Sequence, residues 1–240
     1  MIINISKETF GNFGIRNGDM IAVINVLQWL RIKHNNPKIQ FHMPENYIIQ
    51  DTGYHQQFYD YLCEQWDYFS KTPGPKENFL PYEHIMLWDF RDNIGDVVSI
   101  PNDREMKKKL VVFPIFDAQY NTLRNWSKEL FGSILQFAEQ QYPDHEKIVC
   151  IREGLILQDT IGSFKVSTDF ITNVEHIRDC EVFVGGDTGS SHFASALDRG
   201  PEKLVYFYSC RSMVHTLPFH SLKGKGMLNT YSTHYDMDLF

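Results

Sequence analysis

The sequence predicts an α/β protein made of two successive units, each a parallel sheet covered by helices. Three observations predict it. The chain opens strand–helix–strand, the same alternation restarts after a polar stretch near residue 100, and short apolar runs throughout read as buried strands.

In chain order, residues 2–5 read as the first buried strand and residues 11–19, with their glycines, as a loop. Residues 20–34 have helical spacing, with Ile21, Ile24, Leu27, Leu30 and Ile32 as an apolar stripe. Asn35-Asn36-Pro37 stops that helix, and residues 39–43 form the second strand. A strand–helix–strand opening of this length implies parallel pairing. Residues 58–69 read as an aromatic helix, 71–81 as a Pro- and Gly-rich loop, and 84–88 as a strand. The charged stretch 99–109, with Pro101, marks the boundary between a domain of residues 1–104 and one of 105–240. Beyond it come a strand at 110–113, an amphipathic helix at 125–141 and a strand at 147–151. A helix at 170–178, a strand at 180–184, a short helix from Ser190 and a strand at 203–208 complete the pattern. In such folds ligands sit between the units, at the C-terminal ends of the strands.

Composition narrows the function classes. With 42% apolar and 22% charged residues the chain is an ordinary globular protein, and a formal net charge of −7 opposes broad electrostatic capture of nucleic acid. Arg104 and Lys107-Lys108-Lys109 form a local basic run that reads as a solvated loop. Cys63, Cys150, Cys180 and Cys210 are widely spaced and contain no Cys-x-x-Cys pair, which fits reduced thiols rather than a disulfide or zinc framework. The first residues lack a signal-peptide pattern, and no apolar run approaches the roughly 20 residues of a membrane span. The expectation is a soluble, cytoplasmic protein.

The most informative stretch runs from Val182 to Leu197. An apolar strand leads into Gly185-Gly186-Asp187-Thr188-Gly189, and Ser190-Ser191 open a small helix. Strand, glycine turn and hydroxyl-rich helix start make a site for an anion, usually a phosphate. The dinucleotide and P-loop glycine patterns are both absent. Asp187-Thr188-Gly189 and Asp51-Thr52-Gly53 also have the form of aspartic-protease triplets, but both run into helical patterns of an α/β chain, so a protease is a minor alternative. A plain structural turn is another. No His/Asp cluster has metal-ligand spacing, and Asp-x-Asp occurs as Asp236-Met237-Asp238 at the tail, so no metal is expected.

The same stretch resembles the donor-site motif of glycosyltransferase family 9, the heptosyltransferase-like enzymes. Gly185, Asp187, Thr188, Gly189, His192, Ala194 and Ala196 fit that motif. Arg124-Asn125-Trp126, downstream of the 110–113 strand, is similar to the family's basic-x-Trp element, and Gly18-Asp19 to its N-terminal Gly-Asp. The resemblance implies a GT-B-like fold, two Rossmann-like domains with parallel sheets facing across a cleft. The acceptor would bind the N-terminal domain and the nucleotide-sugar the C-terminal one.

It further implies an inverting, metal-independent hexosyl-, heptosyl- or pentosyltransferase, with no cofactor beyond its nucleotide-sugar co-substrate. Asp19 would be the general base and Arg124 would stabilise charge on the departing diphosphate. Gly186, Asp187, Thr188, Gly189, Ser190 and His192 would form the donor site, with Asp187 toward the sugar and Thr188, Gly189 and His192 on the diphosphate. Taken as single residues, Asp19 reads equally as a helix N-cap, while a solvated helix-start arginine is the lesser alternative for Arg124 and a core residue the lesser alternative for His192. The acceptor would be a cell-surface glycan or its lipid-linked precursor. A hydroxymethylated base in DNA is the other possibility, because compact glycosyltransferases of this kind occur in bacteriophages, acting in the host cytoplasm. Arg104, Lys107 to Lys109, Lys223 and Lys225 would then contact phosphates. The alternative to an enzyme is a non-catalytic nucleotide-sugar sensor that keeps the donor pocket and lacks the base.

Overall fold

The computed structural model describes residues 2–3, 17–35, 38–42, 54–71, 99–117, 124–152, 154–155, 158–208 and 227–232. The chain divides into two compact units, Met1–Ile100 and Pro101–Phe240. Its architecture is mixed α/β with a largely parallel sheet.

The first unit contains β1 (Ile2–Ile3), α1 (Asn17–Lys33), β2 (Gln40–His42), α2 (Tyr54–Gln65) and β3 (Phe69–Ser70). Its three strands lie in the order β1-β2-β3, parallel throughout, as helical crossovers require. Helix α1 starts at Asn17, so Gly18 and Asp19 belong to its first turn rather than to the loop expected before it. Asp19 is the third helical residue, past the cap position. Met20, Ile21, Ile24, Leu27 and Leu30 are buried, but Ile32 is 68% exposed, which corrects the expected stripe. At about 100° per residue, Ile32 falls about 120° from the centre of the buried face.

Helix α2 also differs from expectation: it spans Tyr54–Gln65, and Phe69 lies in a strand. The Phe69 ring meets Phe41 and Tyr59 edge-on, at 5.7 and 5.5 Å between centroids. That aromatic cluster needs residue 69 in the sheet, and local periodicity could not register it. Arg31 joins the layers, donating from Nε to the Ile39 carbonyl at 2.8 Å and from NH1 to Asp67 Oδ1 at 3.0 Å while stacking on Tyr68. The strand expected at 84–88, Asp51-Thr52-Gly53 and all but the first residue of the 71–81 loop lie outside the described residues.

The second unit runs β4 (Lys107–Phe113), α3 (Lys128–Gln141), β5 (Glu146–Cys150), β6 (Thr160–Ile161), β7 (Phe164–Ser167), α4 (Phe170–Asp179), β8 (Cys180–Gly186), α5 (Gly189–Ala196), β9 (Lys203–Tyr208) and β10 (Met227–Ser232). Its seven strands are ordered β10-β9-β8-β4-β5-β7-β6, and every pairing is parallel except β6 with β7. Strand β4 lies inside the sheet between β5 and β8, so Leu110, Val111 and Val112 are fully buried. The β6–β7 hairpin turns at Gly162, whose φ of 59° suits a residue without a Cβ. Helix α3 starts at Lys128 rather than 125, because the Ser127 hydroxyl caps it by accepting from the Leu130 N–H at 3.1 Å.

The basic run is not the solvated loop expected. Lys107 to Lys109 begin β4, and Lys109 is 3% exposed. Lys107 and Lys109 both donate to the Asp179 carboxylate at the end of α4. Lys108 faces Asp144 at 3.8 Å and Arg104 pairs with Glu175 at 2.7 Å. These cations are matched by carboxylates of the same unit, which counts against their acting as a phosphate-contacting patch; Lys223 and Lys225 lie outside the described residues. Asn102 anchors the start of the unit, its Nδ2 donating to the carbonyls of Arg178 and Arg199 at 2.8 and 2.6 Å.

Among the described residues no helix is long and apolar enough to cross a membrane. Cys63, Cys150 and Cys180 are free thiols, and Cys210 lies outside the described residues.

Candidate functional site

The site is built where β4 and β8 end, on the rim of a parallel sheet where side chains and helix starts converge. Strand β8 continues through Gly185 and Gly186, two residues beyond the strand end expected from the apolar run. The chain then turns sharply. The Thr188 N–H donates to the Gly186 carbonyl at 2.8 Å, and the Ser191 hydroxyl donates to the same oxygen at 2.6 Å. Helix α5 starts at once, with the His192 N–H on the Thr188 carbonyl at 3.2 Å.

Each glycine answers to a packing demand. A Cβ on Gly185 would stand 2.6 Å from a ring carbon of Phe183 and 2.7 Å from Ser191 Oγ, so only glycine lets α5 lie this close to the strand. A Cβ on Gly186 would stand 2.6 Å from Ile115 Cδ1 and 3.2 Å from Trp126 Nε1. Trp126 is 4% exposed, packs edge-on against Phe207 at 5.1 Å, and is held by its backbone N–H on the Ile115 carbonyl at 2.7 Å. It thereby pins the segment carrying Arg124 over the end of β8.

Arg124 consequently reaches Asp187. Its Nε is 2.9 Å from Asp187 Oδ2, and its NH1 donates to the Asp187 carbonyl at 3.3 Å. The Nε contact is short but not aligned as a hydrogen bond, so it is an ion pair held by charge. The Arg124 side chain is 36% exposed, that of Asp187 7%. Next to this pair, Thr188 is the N-cap residue of α5, extended at φ −141° and ψ 165°, yet its hydroxyl caps nothing and its Oγ1 is buried without a partner. The first turn of α5 therefore carries no side-chain cap on amides that a helix leaves unsatisfied. An arginine and an uncapped helix start side by side can accept an anion and stabilise negative charge developing on it.

Of the sequence-predicted residues, Arg124, Gly186, Asp187, Thr188, Gly189 and Ser190 are brought together here. His192 lies on the same helix and is 5% exposed, as buried as Asp187 at 6%. Asp19 stands in the other unit, in the first turn of α1. Three contributions escaped the sequence: the wedge role of Trp126, the turn-closing Ser191 hydroxyl, and Gly185 as a packing residue. The hydroxyl-rich start of α5 was the signal that could have found Ser191.

The parallel α/β sheet is not the all-β frame an aspartic protease needs, and Asp187 sits against a cation rather than a second carboxylate. Burial pushes the Cys63 thiol up to about 11 and holds those of Cys150 and Cys180 well above the usual thiol range, which disfavours a thiolate nucleophile at any of the three. Among the described residues no group of three or more His, Cys, Asp or Glu is placed to hold a metal ion, and Asp236 and Asp238 lie outside them. Comparison with protein-family models, with curated proteins and with solved structures gives no match.

Proposed function

We propose that the protein is an inverting glycosyltransferase of GT-B type, with its nucleotide-sugar on the second unit and its hydroxyl acceptor on the first. One observation carries the reading: the Arg124 guanidinium is held at Asp187, beside the uncapped start of α5. That pairing suits a diphosphate, which needs positive charge on one side and backbone donors on another. In the reaction the acceptor oxygen attacks the anomeric carbon as the bond to the diphosphate oxygen breaks. The electron pair leaves with the diphosphate, whose charge Arg124 and the α5 amides stabilise, and the acceptor proton passes to Asp19. Acceptors with a sugar or lipid-linked hydroxyl suit the acidic chain better than DNA does, since Arg104 and Lys107 to Lys109 are already matched by carboxylates.

The test is a panel of nucleotide-sugars read by thermal stabilisation, followed by donor consumption with candidate acceptors. A donor at about 100 times its dissociation constant adds about 2.7 kcal/mol. A flat response to every donor would refute the reading. Asp19→Asn should abolish transfer while preserving donor binding. Donor binding with no consumption under any acceptor would instead favour a nucleotide-sugar sensor.

A further inference from the structure

Resting on that reading of the second unit as the donor site, we propose that Asp187 is a positioning residue for Arg124: it holds the guanidinium through Nε and NH1 so that NH2 and the remaining NH1 proton are presented to the diphosphate. Residue 187 meets this guanidinium twice, through Oδ2 at 2.9 Å from Nε and through its carbonyl at 3.3 Å from NH1. Oδ2 is shut off from solvent and lies 2.9 Å from the arginine Nε. NH2 and the second NH1 proton, by contrast, have no partner among the described residues, and the Arg124 side chain remains 36% exposed. Those N–H groups form a planar fork of the kind that grips two phosphate oxygens. An arginine held in advance spares the ligand the entropy of ordering it.

The sign of one measurement separates this role from direct sugar contact. A carboxylate beside an anion site repels the anion. If Asp187 served the sugar alone, Asp187→Asn would leave inorganic pyrophosphate and bare nucleoside diphosphates bound equally well or more tightly, and would weaken only nucleotide-sugars. As a positioning residue it does the opposite.

Binding of pyrophosphate, of UDP, ADP and GDP, and of UDP-glucose, ADP-glucose and GDP-mannose is measured by titration calorimetry. The proteins are wild type, Asp187→Asn, Arg124→Gln and the double variant. Asp187→Asn is expected to weaken pyrophosphate and the preferred nucleoside diphosphate about tenfold, the loss expected for a charge-assisted contact. In the Arg124→Gln background it should add nothing. Unchanged or tighter diphosphate binding by Asp187→Asn, or full additivity of the two substitutions, overturns the positioning role. Should wild type bind no diphosphate at all, the donor-site reading fails and the positioning role goes with it. Should Asp187→Asn fail to fold by circular dichroism, Arg124→Lys decides. A lysine offers a single Nζ where the guanidinium presents separate nitrogens to Asp187 and to the phosphate, so the same tenfold loss is expected, and wild-type affinity refutes the proposal.

Discussion

Replacing Gly185 by alanine tests the close approach on which the whole turn depends. The added methyl would stand 2.6 and 2.9 Å from two ring carbons of Phe183 and 2.7 Å from Ser191 Oγ. Neither neighbour can give way easily. Phe183 is fully buried in β8, and Ser191, equally buried, is tied by its hydroxyl to the Gly186 carbonyl. Overpacking of this kind costs about 1–3 kcal/mol. Displacing the Ser191 bond adds about 1 kcal/mol. The smaller entropy of an alanine-containing unfolded chain returns about 0.4–1 kcal/mol, since Gly185 does not have a positive φ. The net expectation is a loss of about 1–3.5 kcal/mol, read from the urea midpoint at unchanged slope, with a melting temperature lower by about 2–4 °C per kcal/mol. Adding Ser191→Ala should recover part of the loss, because it removes one of the two clashing partners. A Gly185→Ala protein as stable as wild type, or a double variant whose losses simply add, would refute the claim that glycine is needed for α5 to approach β8.

Three further outcomes follow from the same physical reasoning. Lys109→Met leaves the buried Asp179 carboxylate with Lys107 alone and should cost about 3 kcal/mol in chemical denaturation, while Lys109→Met with Asp179→Leu should cost far less. Burial first, and then the Lys109 charge, holds the His176 imidazole below its ordinary range, although Asp179 and Glu146 pull the other way. The unfolded chain then binds the proton more readily, so this contribution to stability is full above about pH 6.5 and declines as the pH falls below it; the wild-type-minus-His176→Gln difference between pH 5 and 7.5 should show that slope. Asp169 caps α4 by accepting from the Thr172 hydroxyl and N–H at 2.6 and 2.8 Å, and these bonds hold its carboxyl below the usual range. Asp169→Ala should cost about 1 kcal/mol at neutral pH, and the deficit should shrink as the pH falls through and below the ordinary aspartate range, a trend that parallel urea titrations would read.

Much of this was legible in one dimension. Alternation of apolar runs with helical spacing is a local signal, so the strands around Leu110, Ile148, Val182 and Leu204 and the helices between them could be read from periodicity. The glycine turn and hydroxyl-rich helix start at Gly185 to Ser191 were readable for the same reason. Less visible were the features that depend on a partner far along the chain. Phe69 joins the sheet through rings at Phe41 and Tyr59, and Lys109 is buried because Asp179, seventy residues away, neutralises it. The short β6 and β7 strands owe their existence to pairing along the sheet edge rather than to apolar content.

Residue types and their local spacing therefore settle the α/β class and the presence of a glycine turn before a hydroxyl-rich helix start, because backbone propensity, glycine conformation and helix-start chemistry act within a few residues. What Asp187 faces is a different kind of fact. Its meeting with Arg124 arises because Trp126, wedged above Gly186 and against Phe207, carries the arginine over the end of β8. Charge and packing act through space, over distances that bear no relation to separation along the chain, and only the folded arrangement could decide that contact.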